Sequence, residues 1–304
     1  MIFDKTGWVN EDLFIAGFAF SPSYVIMAEK PAVFESGYNC MGRVYEDDIR
    51  STLKGKTPEF LFLTHMHFDH CGSTAYLKKV FPGLKVAASQ KAAEIIRRPN
   101  ALKLIGSLSE GVIPSLVSMM QGGGDERLIM EPFEPFEIDM VLHDGQTIPL
   151  GNGLSVQVIA APGHTRDMLS YYLPEKRILI STEAAGCLDW NGHVVTEFLT
   201  DYDSYLNSLR RLMSLDVEVL CQGHRFVFIG DDVGKFLGKS LEAAELFREE
   251  VEHVLVEEHN SIEKALIRIK KREYDMNPGP KQPERSYLLN LRTRIEHIAG
   301  RMKH

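Results

Sequence analysis

Cysteine is scarce and dispersed. The 304 residues hold four, Cys40, Cys71, Cys187 and Cys221, with no CxxC pair, so neither a disulfide framework nor a thiolate zinc knuckle is suggested. Reduced thiols are expected, and Cys71 and Cys221 read as small buried hydrophobes. No apolar run reaches the roughly 20 residues needed to cross a bilayer. The start, MIFDKTGWVNEDLF, has acids where a secretory leader needs a basic start and an uninterrupted apolar stretch. A cytoplasmic protein with no membrane partner is the expectation. Basic charge is short as well: 34 Lys+Arg against 42 Asp+Glu give a net charge of -8. That balance repels phosphate backbones, and no basic stripe interleaved with aromatics is evident, so no nucleic-acid partner is expected.

What remains is ordinary globular usage, 44% hydrophobic and 25% charged, in a chain long enough for one large domain or two average ones. From Leu13 the segment LFIAGFAFSPSYVIMAEKPAVFESG reads as β-rich runs broken at Ser21-Pro22 and Glu29-Lys30-Pro31, which suggests hairpin-linked strands. A polar helical stretch is expected around 47–53. The run 59–64 has the near-continuous apolar character of a strand covered on both faces. A helix over 72–80, a strand over 84–88 and a helix from 90 follow, an α/β alternation. Residues 97–140 change to mixed apolar and polar usage with Gly122-Gly123-Gly124, Pro132 and Pro135, and read as an inserted helical lid. A second strand-rich block, 147–150, 154–160, 170–173 and 177–180, mirrors the first. A helix from about 204 leads into a strand over 218–221. Beyond Gly230 the usage is helical, with a charged amphipathic stretch over 239–271, a Pro-rich break over 278–283 and a last helix near 287–302. The reading is a catalytic unit over 1–230 and a helical extension over 231–304, whose charged run suits a solvated face, or a partner or homodimer surface.

Among the eleven histidines, one cluster stands out: Thr64-His65-Met66-His67-Phe68-Asp69-His70. His65 and His67 lie two apart at the end of a buried strand and can aim two imidazoles the same way, because strand side chains alternate with a period of two. Asp69 and His70, past the turn, can face a second point a few ångströms further on. Three histidines and an aspartate at a buried edge are costly unless something coordinates them. His164, in Ala161-Pro162-Gly163-His164-Thr165, and His224, in Cys221-Gln222-Gly223-His224, repeat one grammar: apolar strand, small residue, histidine. Glu183, in Ser181-Thr182-Glu183-Ala184-Ala185-Gly186, offers a carboxylate at a fourth strand end.

In order and spacing, His-x-His-x-Asp-His after an apolar strand, then Pro-Gly-His-Thr, an acid after a later strand, and Gly-His after a helix–strand unit resemble the metallo-β-lactamase-fold superfamily over roughly residues 10–230. The resemblance implies an α/β fold, a four-layer αββα sandwich with a helical insertion and an appended C-terminal helical unit, its metals at one edge between the sheets. It implies one ion on His65, His67 and His164, another on Asp69, His70 and His224, and Glu183 in the bridging-acid position, where the family usually has Asp. Arg225 after the last histidine, and Arg166 with Asp167 after Pro-Gly-His-Thr, also depart from the pattern and are expected to narrow or charge the pocket. A glyoxalase-II-like core with these helices looks like the quinolone-signal-response thioesterase branch.

All-nitrogen-and-oxygen ligation suits two divalent ions, Zn or Fe with Mn possible. The function expected is a binuclear metallohydrolase that turns a metal-activated hydroxide on a thioester, ester or lactone, a small-molecule substrate. Asp69 is expected to be both ligand and catalytic orienter of the hydroxide proton. The lid and the C-terminal helices would close over the pocket and select the acyl group. Two rivals are a non-haem iron oxidoreductase on the same ligands, and a regulatory protein that docks partners through its C-terminal helices.

Overall fold

A computed structural model describes residues 1–304 except 120–125, 190, 279–280 and 304. The glycine run 122–124 of the expected lid and part of the expected 278–283 break therefore lie outside the described residues. Period-two alternation builds the centre. Phe60 and Phe62 turn to one side of their strand and Leu61 and Leu63 to the other; Ile178 and Ile180 oppose Leu179, and Val219 and Cys221 oppose Leu220. Because both sides of each strand are apolar, two sheets stack face to face and helices cover their outer faces. The result is the four-layer sandwich.

One seven-stranded sheet runs Gly7–Trp8, Leu13–Phe18, Ser21–Ile26, Ala32–Phe34, Phe60–Phe62, Lys85–Ser89, Met140–Leu142. It is antiparallel through its N-terminal hairpins and parallel from Ala32–Phe34 onward, where helices Gly42–Leu53 and Thr74–Val80 carry the crossovers. The other runs Ile2–Phe3, Val227–Ile229, Val219–Cys221, Ile178–Ile180, Leu169–Leu173, Leu154–Ala160, Thr147–Gly151. Leu13, Ile15, Tyr24, Phe34 and Phe62 of the first sheet meet Val156, Val158, Tyr171, Ile178 and Val219 of the second in the inner core. Tyr171 bridges them in two ways: its ring lies 5.2 Å from that of Phe62, and its hydroxyl donates to the Leu63 carbonyl.

The expected lid is one long helix, Pro99–Met119, followed over 126–139 by a strap without regular structure that is tied down where Ile129 N–H donates to the Cys40 carbonyl at 2.7 Å. Pro99 opens the helix, a position where its missing N–H costs no intrahelical bond. The charged C-terminal stretch divides into Asp231–Glu257 and Ile262–Lys270, because His259 and Asn260 take left-handed conformations and Ser261 caps the next turn. Phe236, Phe247, Val251, Leu291 and Ile295 of the C-terminal helices share one core with Leu179 and Leu220 of the second sheet and with Tyr205 and Leu209 of helix Tyr202–Met213. The last helix, Glu284–Arg301, is thus anchored to the second sheet's outer layer.

Candidate metal centre

Four strand ends on one edge of the sandwich supply the chemistry. His65, His67, Asp69 and His70 follow Phe60–Phe62; His164 follows Leu154–Ala160; Glu183 lies in the single turn after Ile178–Ile180; His224 follows Val219–Cys221. Gly163 is required at its turn: its φ is +132°, and a Cβ there would stand 2.3 Å from the Tyr205 backbone.

The structure brings all seven expected residues together. The donor-capable atoms of His65, His67 and His164 lie within 4.8 Å of one another, and so do those of Asp69, His70 and His224. His164 Nε2 and His67 Nδ1 are 3.2 Å apart. His65 stands between the two triads, its ring 4.6 Å from that of His67 and 4.3 Å from that of His70. The Glu183 carboxylate spans them: Oε1 is 3.1 Å from His224 Nε2 and 3.3 Å from His70 Nε2, while Oε2 turns toward His65 Nε2 at 3.9 Å. The longer glutamate arm therefore reaches both triads. Gly223 makes room for it, since a Cβ at 223 would fall 1.9 Å from Glu183 Oε1.

An outer layer aims the rings. His164 Nδ1 pairs with the Glu197 carbonyl at 2.7 Å, His224 Nδ1 with the Phe20 carbonyl at 2.8 Å, and His65 Nδ1 with Thr64 Oγ1 at 2.9 Å. Each contact leaves Nε2 facing the centre, and the two carbonyls, which only accept, hold His164 and His224 in the Nδ1–H tautomer that a ligating imidazole needs. His70 Nδ1 pairs with Glu35 Oε2 at 2.8 Å, while Glu35 Oε1 accepts the Thr64 N–H at 2.8 Å. Glu35, His65 and His70 also form a compact group, but Glu35 meets the side of His70 away from Glu183, and we assign it to orientation. The sequence reading missed this buried acid. The signal was present in Phe34-Glu35-Ser36, an acid directly after an apolar strand, the grammar that marks the histidines.

Electrostatics divide the centre. Burial, then the neighbouring imidazoles, hold His65 well below the ordinary histidine range and bring His67 down to about 3, so both keep lone pairs. Burial is the largest influence on His70 and His224 and opposes their charge, but Glu183 and Asp69, with Glu35 at His70, together outweigh it and raise both. Burial pushes Glu183 up, yet those two imidazoles hold it well below the carboxylate range.

His65 Nε2 and Glu183 Oε2 are buried without a hydrogen-bond partner and face each other across the centre. Buried polar atoms are seldom left so. Two orphaned polar atoms, a cradle that a Cβ would fill, and imidazoles whose inward nitrogens converge fit a cation in the gap. The donor set therefore suits divalent metal.

A cavity of about 1890 Å³ opens onto this centre. Phe20, Tyr38 and Phe68 form an aromatic wall beside it, with ring centroids 6.4 and 5.7 Å apart, and Leu104, Leu108 and Val112 of helix Pro99–Met119 contribute a second apolar wall. Of the expected pocket charges only Arg225 lines the cavity, where burial lowers its pKa to about 10 and leaves it cationic. Arg166 is exposed outside the wall. Asp167 is buried because its Oδ2 accepts the Met66 N–H at 2.9 Å, which braces the His65–His67 turn instead of charging the pocket. Cys71 and Cys221 are core residues, whereas Cys187 reaches the cavity, its thiol 3.8 Å from Glu183 Oε1.

The fold and the convergent triads define a two-sheet scaffold with a candidate metal centre at one edge, and comparison with known proteins gives it a family. Residues 17–224 match the Metallo-beta-lactamase superfamily, and the chain belongs to it. It is similar to the metallo-beta-lactamase fold-containing protein ST1585 of Sulfurisphaera tokodaii, 27% identical over 168 residues, or 55% of this chain and 60% of that protein. The solved structure of ST1585 aligns with a TM-score of 0.59 at 18% identity over 99% of this chain and 98% of that one. Other relatives are the chicken acyl-coenzyme A thioesterase MBLAC2, 26% identical over 57% of this chain and 59% of that protein, and the hydroxyacylglutathione hydrolase of Serratia proteamaculans, 23% identical over 69% and 65%. Each of these three sequence alignments spans less than two thirds of the relative's own length. Among the described residues no helix is long and apolar enough to cross a membrane.

Proposed function

We propose that this chain is a binuclear metal-dependent hydrolase of a thioester, ester or lactone with an apolar acyl group. The observation that carries the reading is the pair of unpartnered polar atoms, His65 Nε2 and Glu183 Oε2, buried between two triads able to hold a metal. The thioesterase and hydroxyacylglutathione hydrolase relatives support the reaction class. His65, His67 and His164 would hold one ion, Asp69, His70 and His224 the other, with Glu183 between; zinc, iron or manganese suits these donors. When bound, such ions supply Lewis acidity and a nucleophile at neutral pH.

The protein's own groups do the rest. Asp69 lines the cavity half-buried, with Oδ2 3.5 Å from His224 Nε2, and takes the proton of the attacking water. Phe20, Tyr38, Phe68 and the leucines of helix Pro99–Met119 seat the acyl group and exclude bulk water. Arg225 meets an anionic group on the substrate. On this reading residues 1–230 carry the chemistry and 231–304 roof it. Elemental analysis of purified protein followed by a screen of thioesters, lactones and phosphodiesters tests it: about two metal equivalents, thioester or ester turnover, and loss of turnover on chelation with recovery on metal return are expected. Asp69→Ala should abolish most turnover and lower the content of one metal. Protein that binds no metal, or that consumes oxygen with a persulfide and hydrolyses nothing, would replace this reading.

A further inference from the structure

The last helix, Glu284–Arg301, touches the metal centre through one intermediary. Asn290, Arg294, His297 and Arg301 recur at spacings of four, three and four, which places them on one helical face. All four bind one segment, 196–203. Asn290 Nδ2 donates to Glu197 Oε1 at 2.9 Å, Arg294 Nη1 to the Thr196 carbonyl at 3.4 Å, His297 Nε2 meets the Leu199 carbonyl at 3.1 Å, and Arg301 pairs with Asp203. The opposite side of that segment holds the His164 turn. The Glu197 carbonyl accepts from His164 Nδ1 at 2.7 Å, and Thr200 donates to the Gly163 carbonyl through N–H at 2.9 Å and Oγ1 at 3.0 Å.

Arg294 is an unusual residue to find here. It is 2% exposed, lies over the Phe247 ring at 4.1 Å and pairs with Glu273 Oε2 at 3.1 Å. A buried guanidinium is expensive, and hydrophobic packing alone would seat the helix more cheaply. A fixed donor that sets the Thr196–Glu197 peptide gives it a use.

We infer that the last helix positions His164: Asn290 and Arg294 hold segment 196–203 so that the Glu197 carbonyl keeps the His164 ring in the tautomer and orientation that leave Nε2 free for the first metal. The inference rests on the metal-centre reading above. It makes affinity at the His65–His67–His164 site depend on a helix more than 120 residues away in sequence, with no contact between that helix and the metal required.

The test compares Asn290→Ala and Arg294→Gln with Arg292→Ala in the full-length protein. Arg292 sits on the same helix but forks onto Glu263 at 2.7 and 2.9 Å, away from segment 196–203, so its loss removes a helix–helix tie and leaves the clamp intact. Cobalt(II) titration with a competing chelator reads each site's affinity, and nitrogen–proton spectra of the histidine rings in metal-free protein read the His164 tautomer. Asn290→Ala and Arg294→Gln should weaken the three-histidine site by about tenfold, the low end of the roughly 10- to 100-fold that follows loss of a ligand's own partner, because the Glu197 carbonyl is loosened and not removed, with the other site changed far less. His164 should lose its single Nδ1–H tautomer in both, and Arg292→Ala should change neither readout. Unchanged affinity and tautomer in Asn290→Ala would overturn the inference, as would an equal loss in Arg292→Ala. Wild-type protein that binds no cobalt while its His164 tautomer answers to Asn290 would instead sink the metal-centre reading, so the two failures are distinguishable. Should Arg294→Gln fail to fold, the half-buried Asn290 decides.

Discussion

Gly223→Ala isolates Glu183, the carboxylate that spans the two triads. Gly223 does not have a positive φ, so its backbone tolerates a side chain, and what forbids one is the Glu183 carboxylate. The new Cβ would fall 1.9 Å from Oε1 and 2.6 Å from Cδ, and real Cβ contacts essentially never lie under 3.0 Å. Oε1 must therefore retreat by about 1.1 Å, which stretches its contacts to His224 and His70, now 3.1 and 3.3 Å, beyond hydrogen-bond reach. A displacement of that size in a reacting constellation costs about 100-fold in turnover. The metal-free protein should also lose about 1–3 kcal/mol, because a buried carboxylate gives up partners. The assays are kcat on an aryl thioester, metal content by elemental analysis, and thermal melting. Gly234→Ala is the control: that glycine is exposed inside helix Asp231–Glu257 with open space around its Cβ, and should gain about 1 kcal/mol with unchanged turnover. The decisive comparison is the double variant. In a Glu183→Ala background, Gly223→Ala should cost almost nothing further, since there is no carboxylate left to displace. Wild-type turnover and metal content in Gly223→Ala, or full additivity with Glu183→Ala, would mean that Gly223 does not seat the Glu183 carboxylate.

Glu35→Gln keeps the shape of the side chain but removes the charge behind His70 Nδ1, and should weaken the Asp69–His70–His224 site by about tenfold or more in a chelator competition, with the three-histidine site changed less. Arg225→Glu should raise KM for an anionic thioester by about tenfold, the worth of one charge-assisted hydrogen bond, with little change for a neutral one; equal effects on both would remove the anion-binding role. Burial pushes Asp201 up, but its bonds with Ser204, the N-cap N–H at 2.6 Å among them, together with His297 and Arg301 outweigh that and lower its pKa from 3.8. A depressed acid stabilises the fold above its unfolded pKa and loses that contribution as pH falls through the folded one. Asp201→Ala should therefore melt lower by the equivalent of about 1 kcal/mol at pH 7, with the gap to wild type closing below pH 3.8, which thermal scans across pH would show.

How far the sequence reveals this centre follows from how much each role demands of residue type. A residue that holds a metal comes from a short list of side chains, imidazole, carboxylate or thiolate, so the candidate ligands His65, His67, Asp69, His70, His164, Glu183 and His224 are conspicuous, and each follows an apolar strand of period two. The sheets are legible for the same reason, since Leu154–Ala160 and its neighbours announce themselves by composition. Glu35 makes a weaker demand: one buried acid inside a segment that reads well as plain hairpin strands, its left-handed φ of 64° visible only in three dimensions. Helix ends shift where the cause is tertiary, as at Gly42–Leu53, whose first turn carries Val44 and Tyr45 into the core under the first sheet. At the far end of the scale stand the carbonyls of Glu197 and Phe20, which aim His164 and His224. Every residue has a carbonyl, so nothing in the sequence marks those two, and only the packing that places them can. The identity of the candidate ligands is thus written in side chains and their precision in backbone, and the side chains that hold this backbone, Asn290 and Arg294 among them, lie in a last helix that the sequence marks as a helix and nothing more.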